Sequence, residues 1–401
     1  MNLNTHNCTG CGACVQKCPC ACLKMVPNQE GFLYPICDIS RCSDCGLCMQ
    51  ICPANHEVSV QTYKQEAYAL INKNNDILRE SASGGAFPAA AKWILDRNGV
   101  VFGCALDESM RPVHKQITSA KELRQLQGSK YVQSEIGDSY KQVLEYLTKD
   151  VPVLFSGTPC QIESLYAFLG NSNIKNLYTM DLICHGVTSP QFFLEYILWL
   201  GKKLDSRICD YRFRDKAKYP WGDKYCAAIS TTDGRQIYRT FDQDPYYSAF
   251  FYGENYRECC YSCKYACLNR VGDISIGDFW GYSEQLPMLK ETSQKGLSLV
   301  ICNTEQGKIL LEQMAGQTQI IPCNLTLAAE KNDNLMRPSY SPECRKTFYS
   351  TVQKNGFDAY AASFYKSKRY FFNRFKSLIP SGIKQLIPKS AKSTLNNLFK
   401  R

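Results

Sequence analysis

The sequence lacks any long uncharged apolar run, since no stretch approaches the roughly eighteen residues that a membrane-spanning helix needs. Its first residues, MNLNTHNCTG, also lack the basic start and apolar run of a secretion signal. These absences favour a globular protein of the cytoplasm. In that reducing compartment we do not expect the 23 cysteines to pair as disulfides, so those that cluster predict metal binding or redox chemistry.

Acidic residues are missing from one end of the chain. Residues 366–401 hold ten Lys or Arg and no Asp or Glu, whereas the whole chain has 47 basic and 37 acidic residues. The net charge of +10 therefore belongs to this tail, and nothing in the balanced remainder indicates nucleic acid. Cations interleaved with Phe, Leu and Ile are typical of a helix lying on anionic lipid, and equally of a solvated end. The tail thus predicts either a peripheral contact at the inner face of the membrane or no contact.

One cysteine pattern, C-x2-C-x2-C-x3-C-P, occurs twice near the start, at positions 8 and 42. Three thiolates at this spacing can wrap one iron–sulfur cube, and the fourth, held before a proline, points toward the neighbouring cube. We therefore predict two 4Fe-4S clusters with crossed ligand sets. The first set is Cys8, Cys11, Cys14 and Cys52, and the second is Cys42, Cys45, Cys48 and Cys18.

This repeat resembles the bacterial two-cluster ferredoxin. A pair of zinc sites is the alternative, but zinc needs neither the third cysteine of each copy nor the proline. Cys20, Cys22 and Cys37 are left over, and the pattern assigns them no role.

A second group of cysteines stands in the middle of the chain. Cys160 in SGTPCQ and Cys184 in LICHG each follow a predicted strand, on the side of a parallel sheet where sites are usually built. Taken singly, each is more typical of a small buried residue. Together with a C-x2-C pair from a loop they predict a third cluster, with ligands Cys160, Cys184, Cys260 and Cys263. Cys259 with Cys263, or Cys263 with Cys267, are alternative loop pairs, because a spacing of four also permits ligation.

Two glycine-containing segments could hold a phosphate cofactor. Ser83, Gly84 and Gly85 precede a predicted helix, whose N-terminal amides favour negative charge. Gly128, Ser129, Lys130 and Tyr131 offer an amide turn, a hydroxyl, a cation and an aromatic ring, the groups that a flavin needs. Alone, these segments also fit a plain turn and a solvated loop, and no G-x-G-x-x-G follows a strand.

Five segments, taken in order, resemble the signature segments of the coenzyme F420 hydrogenase/dehydrogenase beta-subunit family. They are SASGGAF, QGSKYVQS, FSGTPCQ, DLICHGVTSP and CCYSCKY…RVGDISIGDFWG. The resemblance implies FAD beside an iron–sulfur cluster, and hydride exchange with a deazaflavin or another organic acceptor. It also implies that the ferredoxin module is fused to a flavin domain, and it favours both the third cluster and the flavin segments named above.

Patterns of strand followed by helix predict an α/β fold with an N-terminal α+β ferredoxin-like module, a mixed and mostly parallel sheet with crossover helices, and a peripheral helical C-terminus. Asp233-Gly234 predicts a hairpin turn between antiparallel strands. We expect five segments: a two-cluster domain at 1–60, the two parts of a flavin domain at 66–150 and 151–325, the second with the third cluster, a helical segment at 326–365, and the basic tail at 366–401.

These features predict an iron–sulfur flavoprotein oxidoreductase that passes electrons from a ferredoxin-type donor through 4Fe-4S clusters to FAD and an organic acceptor, or in reverse. An accessory electron-transfer subunit, with the catalytic site on a partner protein, is the alternative. A thiol enzyme that uses Cys160, with its pKa lowered at a helix N-terminus, is a further alternative. No catalytic residue is predicted, since a lone histidine such as His185 is more typical of a structural role.

Overall fold

The N-terminal module is a short hairpin with one helix before it and one after it. A computed structural model describes residues 7–58 and 62–378, with side chains described to residue 375. The elements of the module are α1 (Ala13–Lys17), β1 (Leu23–Pro27), β2 (Leu33–Cys37) and α2 (Leu47–Gln50). Pro19 and Pro53 closely follow the two helices and cannot continue them, because proline lacks a backbone N–H. Residues 379–401, most of the predicted basic tail, lie outside the described residues.

Eleven strands and twelve helices follow within the described residues. The strands are β3 (Glu66–Asn72), β4 (Val100–Leu106), β5 (Pro112–Ile117), β6 (Val153–Gly157), β7 (Leu177–Leu182), β8 (Ile208–Arg212), β9 (Cys226–Thr231), β10 (Gln236–Thr240), β11 (Ile274–Asp278), β12 (Ser298–Cys302) and β13 (Thr318–Cys323). The helices are α3 (Asn75–Glu80), α4 (Ala86–Leu95), α5 (Leu123–Leu126), α6 (Ser139–Leu147), α7 (Pro159–Leu169), α8 (Pro190–Leu204), α9 (Pro245–Phe251), α10 (Tyr282–Gln285), α11 (Glu305–Met314), α12 (Leu325–Glu330), α13 (Arg345–Lys366) and α14 (Lys368–Leu378). None of these helices is long and apolar enough to cross a membrane.

Eight strands form one mixed sheet in the order β13-β3-β12-β11-β7-β6-β4-β5. The central strands β11, β7, β6 and β4 are parallel neighbours, whereas the pairs on either side are antiparallel. Strand β6 is buried along its whole length, as expected of a parallel strand covered on both faces. The predicted α/β fold with a mixed sheet is confirmed, and the parallel arrangement is confined to the centre of the sheet.

Strands β8, β9 and β10 form a second, antiparallel sheet. The predicted turn joins β9 to β10, and Gly234 there has a φ of 86°. This sheet packs with α8, α9 and α13 around an aromatic core that includes Phe192, Tyr196 and Tyr246. Helix α13 bends at Gly356 and adds buried aromatic residues to this core. The C-terminal helices therefore lie outside the large sheet but are packed firmly on the protein.

The first half of the N-terminal module packs against the large domain. Cys11 and Ala13 belong to the buried cluster formed by β4, β6, α6 and α7. Arg257 of the large domain is fully buried and donates to the carbonyl oxygens of Cys8, at 2.7 Å, and Leu33, at 3.0 Å. The module is therefore docked with its first cysteines innermost.

Candidate metal centres and cofactor cavity

The thiols of the first predicted ligand set lie together where the module meets the large domain. Burial raises the pKa of Cys14, and the neighbouring thiols of Cys11, Cys8 and Cys52 raise it further. Cys52 comes from the second copy of the repeat, so the crossing that the spacing predicts is present in the fold. The N–H of Gly10 donates to Cys8 Sγ at 3.4 Å, a contact that would stabilise a thiolate.

The thiols of the second set lie at the outer side of the module. Cys18, Cys42, Cys45 and Cys48 line one small cavity, and Cys45 is exposed. The N–H of Asp44 donates to Cys42 Sγ at 3.4 Å, as the N–H of Gly10 does to Cys8 in the first copy. Both sets of four sulfurs therefore suit iron–sulfur cubes: thiolate donors, partly shielded from water, with backbone N–H groups directed at sulfur.

The three cysteines without a predicted role all lie beside this second set. Cys22 is 3.4 Å from Cys18 and 3.8 Å from Cys37, measured between Sγ atoms. Cys20 lines the same small cavity and contacts Ser43 Oγ. In the described part of the module, the first set has no such additional thiols beside it.

The central cysteines meet at the carboxyl ends of two parallel strands. Cys160 lies in the first turn of α7, directly after β6, and Cys184 lies two residues beyond β7. Burial raises the pKa of Cys160, and Cys263 and Cys184 raise it further, so these sulfurs are close neighbours. This raised pKa is the opposite of what the thiol-enzyme alternative requires, because burial outweighs the helix N-terminus.

The loop after α9 brings three of its four cysteines to these two. Cys259, Cys260 and Cys263 line one large cavity together with Cys160 and Cys184. Cys267 is not part of this lining, and its thiol donates to the carbonyl oxygens of Lys264 and Asn269. The structure therefore brings together the predicted pair Cys260 and Cys263 and the alternative pair Cys259 and Cys263, but not Cys263 with Cys267.

The first and central thiol groups are adjacent. The Cys259 thiol donates to the carbonyl oxygen of Cys8 at 3.4 Å. Tyr265 packs in the same buried cluster as Cys11, Cys160 and Cys263; burial raises the pKa of its phenol, and these thiols raise it further, so it lies near both groups. The second set has no comparable contact with the central group within the described residues.

The large cavity has a volume of about 670 Å³. Its lining includes six of the seven residues that the sequence predicts for the flavin: Ser83, Gly85, Gly128, Ser129, Lys130 and Tyr131. The N-terminal residues of α4 also face it, and the N-cap Gly85 provides no side-chain cap. Helix amides, hydroxyls and a cation thus meet in a space within the range of about 300–1,000 Å³ that is usual for cofactor pockets.

Gly84, the seventh predicted flavin residue, faces the sheet instead. Its N–H donates to Ser298 Oγ at 2.9 Å, and a Cβ at this position would lie 2.1 Å from the carbonyl oxygen of Leu70. Only glycine therefore allows the turn before α4 to pack against β3 and β12. Its role is to place Gly85 and α4 at the cavity.

Of two cationic side chains in the cavity, one is paired with a carboxylate and the other is not. Arg214 forms a 2.8 Å ion pair with Asp278 and stacks over the ring of Tyr225. Lys130 has no carboxylate contact among the described residues; its ammonium donates to the carbonyl oxygens of Gln125 and Gln127, and burial lowers its pKa to about 8. An ammonium carries three donors, so one remains for a ligand.

Several cavity residues carry no local signal in the sequence. His114 is buried, with its ring nitrogens bonded to Ser134 Oγ and to the Ser156 carbonyl oxygen, and burial lowers its pKa to about 4. Arg214 follows strand β8, and Asp278 ends β11, far apart in the chain. Asp278 lies within the signature segment RVGDISIGDFWG, whereas Arg214 lies outside all five segments, and only tertiary packing brings the two together. His185 also lines the cavity, and burial lowers its pKa.

Two stretches of the chain match known families. Residues 7–56 match the family described as 4Fe-4S dicluster domain, and residues 151–325 match the family described as the C terminus of the coenzyme F420 hydrogenase/dehydrogenase beta subunit. A chain from the xenon-derivatised F420-reducing NiFe hydrogenase complex of Methanosarcina barkeri is similar in structure. Its identity is 15% and its TM-score 0.45, over 75% of this chain and 95% of that chain.

No curated protein sequence matches the chain. The resemblance seen in the sequence motifs is confirmed by the two family matches, which fall on the crossed cysteine repeat and on the region that carries the central thiols. Residues 7–56 are therefore similar to 4Fe-4S dicluster domains, and residues 151–325 are similar to the C-terminal region of the coenzyme F420 hydrogenase/dehydrogenase beta subunit.

Proposed function

We propose that the protein is an iron–sulfur flavoprotein oxidoreductase that relays electrons between a ferredoxin-type donor and an organic acceptor of the deazaflavin class, through three 4Fe-4S clusters and FAD. The observation that supports this proposal most strongly is the cavity of about 670 Å³, whose lining includes the five central thiols Cys160, Cys184, Cys259, Cys260 and Cys263 and six of the seven predicted flavin residues. One-electron and two-electron centres must be adjacent for such a reaction, because a cube carries single electrons and a flavin also exchanges hydride.

The chain offers each cluster four sulfurs. In this proposal the first and second clusters are held by the crossed sets of the repeat, and the third by Cys160, Cys184, Cys260 and Cys263. Cys259, bonded to the Cys8 carbonyl, and Tyr265 fill the space between the first and third sets. The two-cluster domain then spans 1–60, and the flavin domain spans 66–325 in two parts.

The flavin is held, in this proposal, by the start of α4 and by the loop Gly128–Tyr131. The amides at the N-terminus of α4 and the ammonium of Lys130 would bind the diphosphate. Tyr131 is stacked on Phe250, with ring centroids 4.3 Å apart, which fixes the aromatic wall. Tyr247 lines the cavity, and its buried hydroxyl has no hydrogen-bond partner among the described residues, which leaves it available to a ligand.

Cofactor content tests the proposal directly. Protein purified without oxygen is expected to contain about twelve irons and one FAD per chain. It should also reduce a deazaflavin when supplied with reduced ferredoxin. Eight irons without flavin would overturn the flavin assignment. Bleaching by reduced ferredoxin without turnover of any small molecule would favour the accessory electron-transfer subunit, whose catalytic site lies on a partner.

The pH dependence of flavin binding tests the role of Lys130. Its pKa of about 8 in the free protein means that the cation is present below pH 8 and is lost above it. A bound diphosphate favours the cation, so FAD affinity should fall as the pH rises from 7 to 9. A charge-assisted hydrogen bond contributes about 1.5–3 kcal/mol, which corresponds to roughly tenfold or more in Kd. Lys130→Met should bind FAD weakly at both pH values; an unchanged pH profile in this variant would contradict the role.

The C-terminal end fits a peripheral contact with anionic lipid. Phe371 and Phe375 on α14 are 59% and 65% exposed, and residues 366–401 contain ten Lys or Arg and no Asp or Glu. We expect the full chain to sediment with vesicles of anionic lipid, weakly at high salt, and a chain lacking 366–401 to remain in the supernatant. Equal sedimentation of the two chains would reject this contact.

A further inference from the structure

The thiols around the second ligand set outnumber those that a cube needs. The Sγ atoms of Cys22, Cys37 and Cys42 all lie within 4.8 Å of one another. Cys18 adjoins this trio through Cys22, because its Sγ is 3.4 Å from that of Cys22. Cys22 is buried, and Cys18, Cys37 and Cys42 are half-buried, so the trio and the adjoining Cys18 are partly shielded from water.

These separations match one metal ion better than a cube. A tetrahedral zinc site with four thiolates has Zn–S bonds of about 2.3 Å, which puts its sulfurs about 3.8 Å apart. In a cube each cysteine binds a different iron, so the cysteine sulfurs are held farther from one another. The Sγ separations are 3.4 Å for Cys18 and Cys22, 3.8 Å for Cys22 and Cys37, and at most 4.8 Å for every pair among Cys22, Cys37 and Cys42, close to the value for zinc.

Strand pairing explains the proximity. Leu23 of β1 is paired with Cys37 of β2, and the N–H of Asp38 donates to the Cys22 carbonyl oxygen. The hairpin therefore carries Cys22 and Cys37 to the same end. Ala54 and His56 stand in the second copy where Cys20 and Cys22 stand in the first, so Cys52 has no equivalent neighbours.

We propose that Cys22, Cys37 and Cys42 bind a single Zn²⁺, with Cys18, which adjoins Cys22, as the fourth thiolate, and that zinc and the second cube occupy the module alternatively. The two cannot coexist because they share Cys18 and Cys42. Zinc binding replaces the thiol protons, which are released to water, and transfers no electron. Since zinc is not redox-active, a chain with zinc here keeps a folded module but has no outer cluster to accept electrons. This inference rests on the proposed ligand set of the second cube.

Metal content of the full chain tests the site. In Cys45→Ser/Cys48→Ser the second cube cannot form, and protein purified without oxygen should lose about four irons and gain one zinc. X-ray absorption at the zinc edge should show four sulfur neighbours at about 2.3 Å. Adding Cys22→Ser/Cys37→Ser to this variant should remove the zinc.

The first copy of the repeat provides the matched control. Cys11→Ser/Cys14→Ser should lose about four irons without gaining zinc, because only Cys8 and Cys52 of this set remain and the described part of the module adds no thiol to them; Cys259 of the large domain, beside Cys8, supplies at most a third. Equal zinc in this control and in Cys45→Ser/Cys48→Ser would overturn the proposal. The proposal would also be overturned if Cys45→Ser/Cys48→Ser retained its other irons but bound no zinc.

A second measurement leaves every cube ligand in place, in case the double variants fold poorly. Wild-type protein produced with limiting iron and added zinc should carry up to one zinc per chain, and Cys22→Ser/Cys37→Ser produced in the same way should not. Equal zinc in both would overturn the site. Failure of the relay itself would instead appear as missing iron in wild-type protein grown with sufficient iron, so the two failures are distinguishable.

Discussion

The two copies of the cysteine repeat share one spacing but occupy opposite surroundings. In the first copy Gly10, Cys11 and Ala13 are buried against the large domain, whereas in the second copy Asp44 and Cys45 are exposed. The spacing alone determines which sulfurs converge, and it does so equally in both copies. The surroundings determine what each site can contact: the inner site contacts the central thiols, and the outer site faces the solvent and any redox partner.

The largest difference between the copies should come from Arg257. Its buried guanidinium bonds the Cys8 and Leu33 carbonyl oxygens and Gln133 Oε1, so Arg257→Ala leaves three buried acceptors unpaired. At about 1–3 kcal/mol for each group, the variant should lose about 3 kcal/mol or more of unfolding free energy. The urea midpoint, followed by the visible absorption of the clusters without oxygen, measures this loss.

Arg41 provides the control for the outer copy. It is exposed and donates to the Cys20 carbonyl oxygen at 3.1 Å, so Arg41→Ala should cost less than about 1 kcal/mol. Equal midpoints for the two variants would show that the inner copy is not held by its buried contacts.

A smaller difference is expected between Gly10 and Asp44, which occupy equivalent positions. Both have positive φ, 70° and 54°, and both amides donate to a cysteine sulfur at 3.4 Å. A Cβ on Gly10 would lie 2.5 Å from Gln133 Nε2. Gly10→Ala should therefore cost about 2 kcal/mol, from left-handed strain of about 1–2 kcal/mol and this clash. Asp44→Gly should change stability by less than about 0.5 kcal/mol in the same urea assay, and a larger loss there than in Gly10→Ala would refute the comparison.

The smallest effect concerns Lys17, at the end of α1. Its ammonium donates to the Phe168 carbonyl oxygen at 2.9 Å and lies over the Phe168 ring. Lys17→Met should cost about 1 kcal/mol, whereas Lys24→Met, on the exposed side of β1, should cost less than about 0.5 kcal/mol. A thermal melt of each holoprotein measures this loss of stability. Identical melting temperatures for the two variants would show that Lys17 does not help to hold the module on the large domain.

Local sequence patterns predict the parts of this molecule that depend on local geometry. The crossed convergence of Cys52 with the first copy follows from spacing and proline. The positions of Cys160 and Cys184 follow from strands that give way to a turn or a helix, because the carboxyl ends of parallel neighbours meet. The turn at Asp233-Gly234 follows from its preferred backbone conformation.

The other features of the fold and the site depend on contacts between residues that are far apart in the chain, and local patterns in a single sequence do not reveal such contacts. Arg257 and Arg214 have no motif, and their partners are distant in the chain. Gly84 is typical of a phosphate loop in sequence, yet the sheet behind it requires the glycine. Cys22 and Cys37 have no spacing relation to each other, and only the register of the hairpin reveals their proximity.

Because Cys45 is exposed and Cys11 is buried, the two copies should differ in how fast dioxygen oxidises them. In the proposed relay, dioxygen would reach the outer cluster first, because the large domain shields the inner centres. The outer cluster should therefore be lost before the others. A partly bleached sample would then hold chains whose inner centres still exchange electrons with one another but no longer with a redox partner.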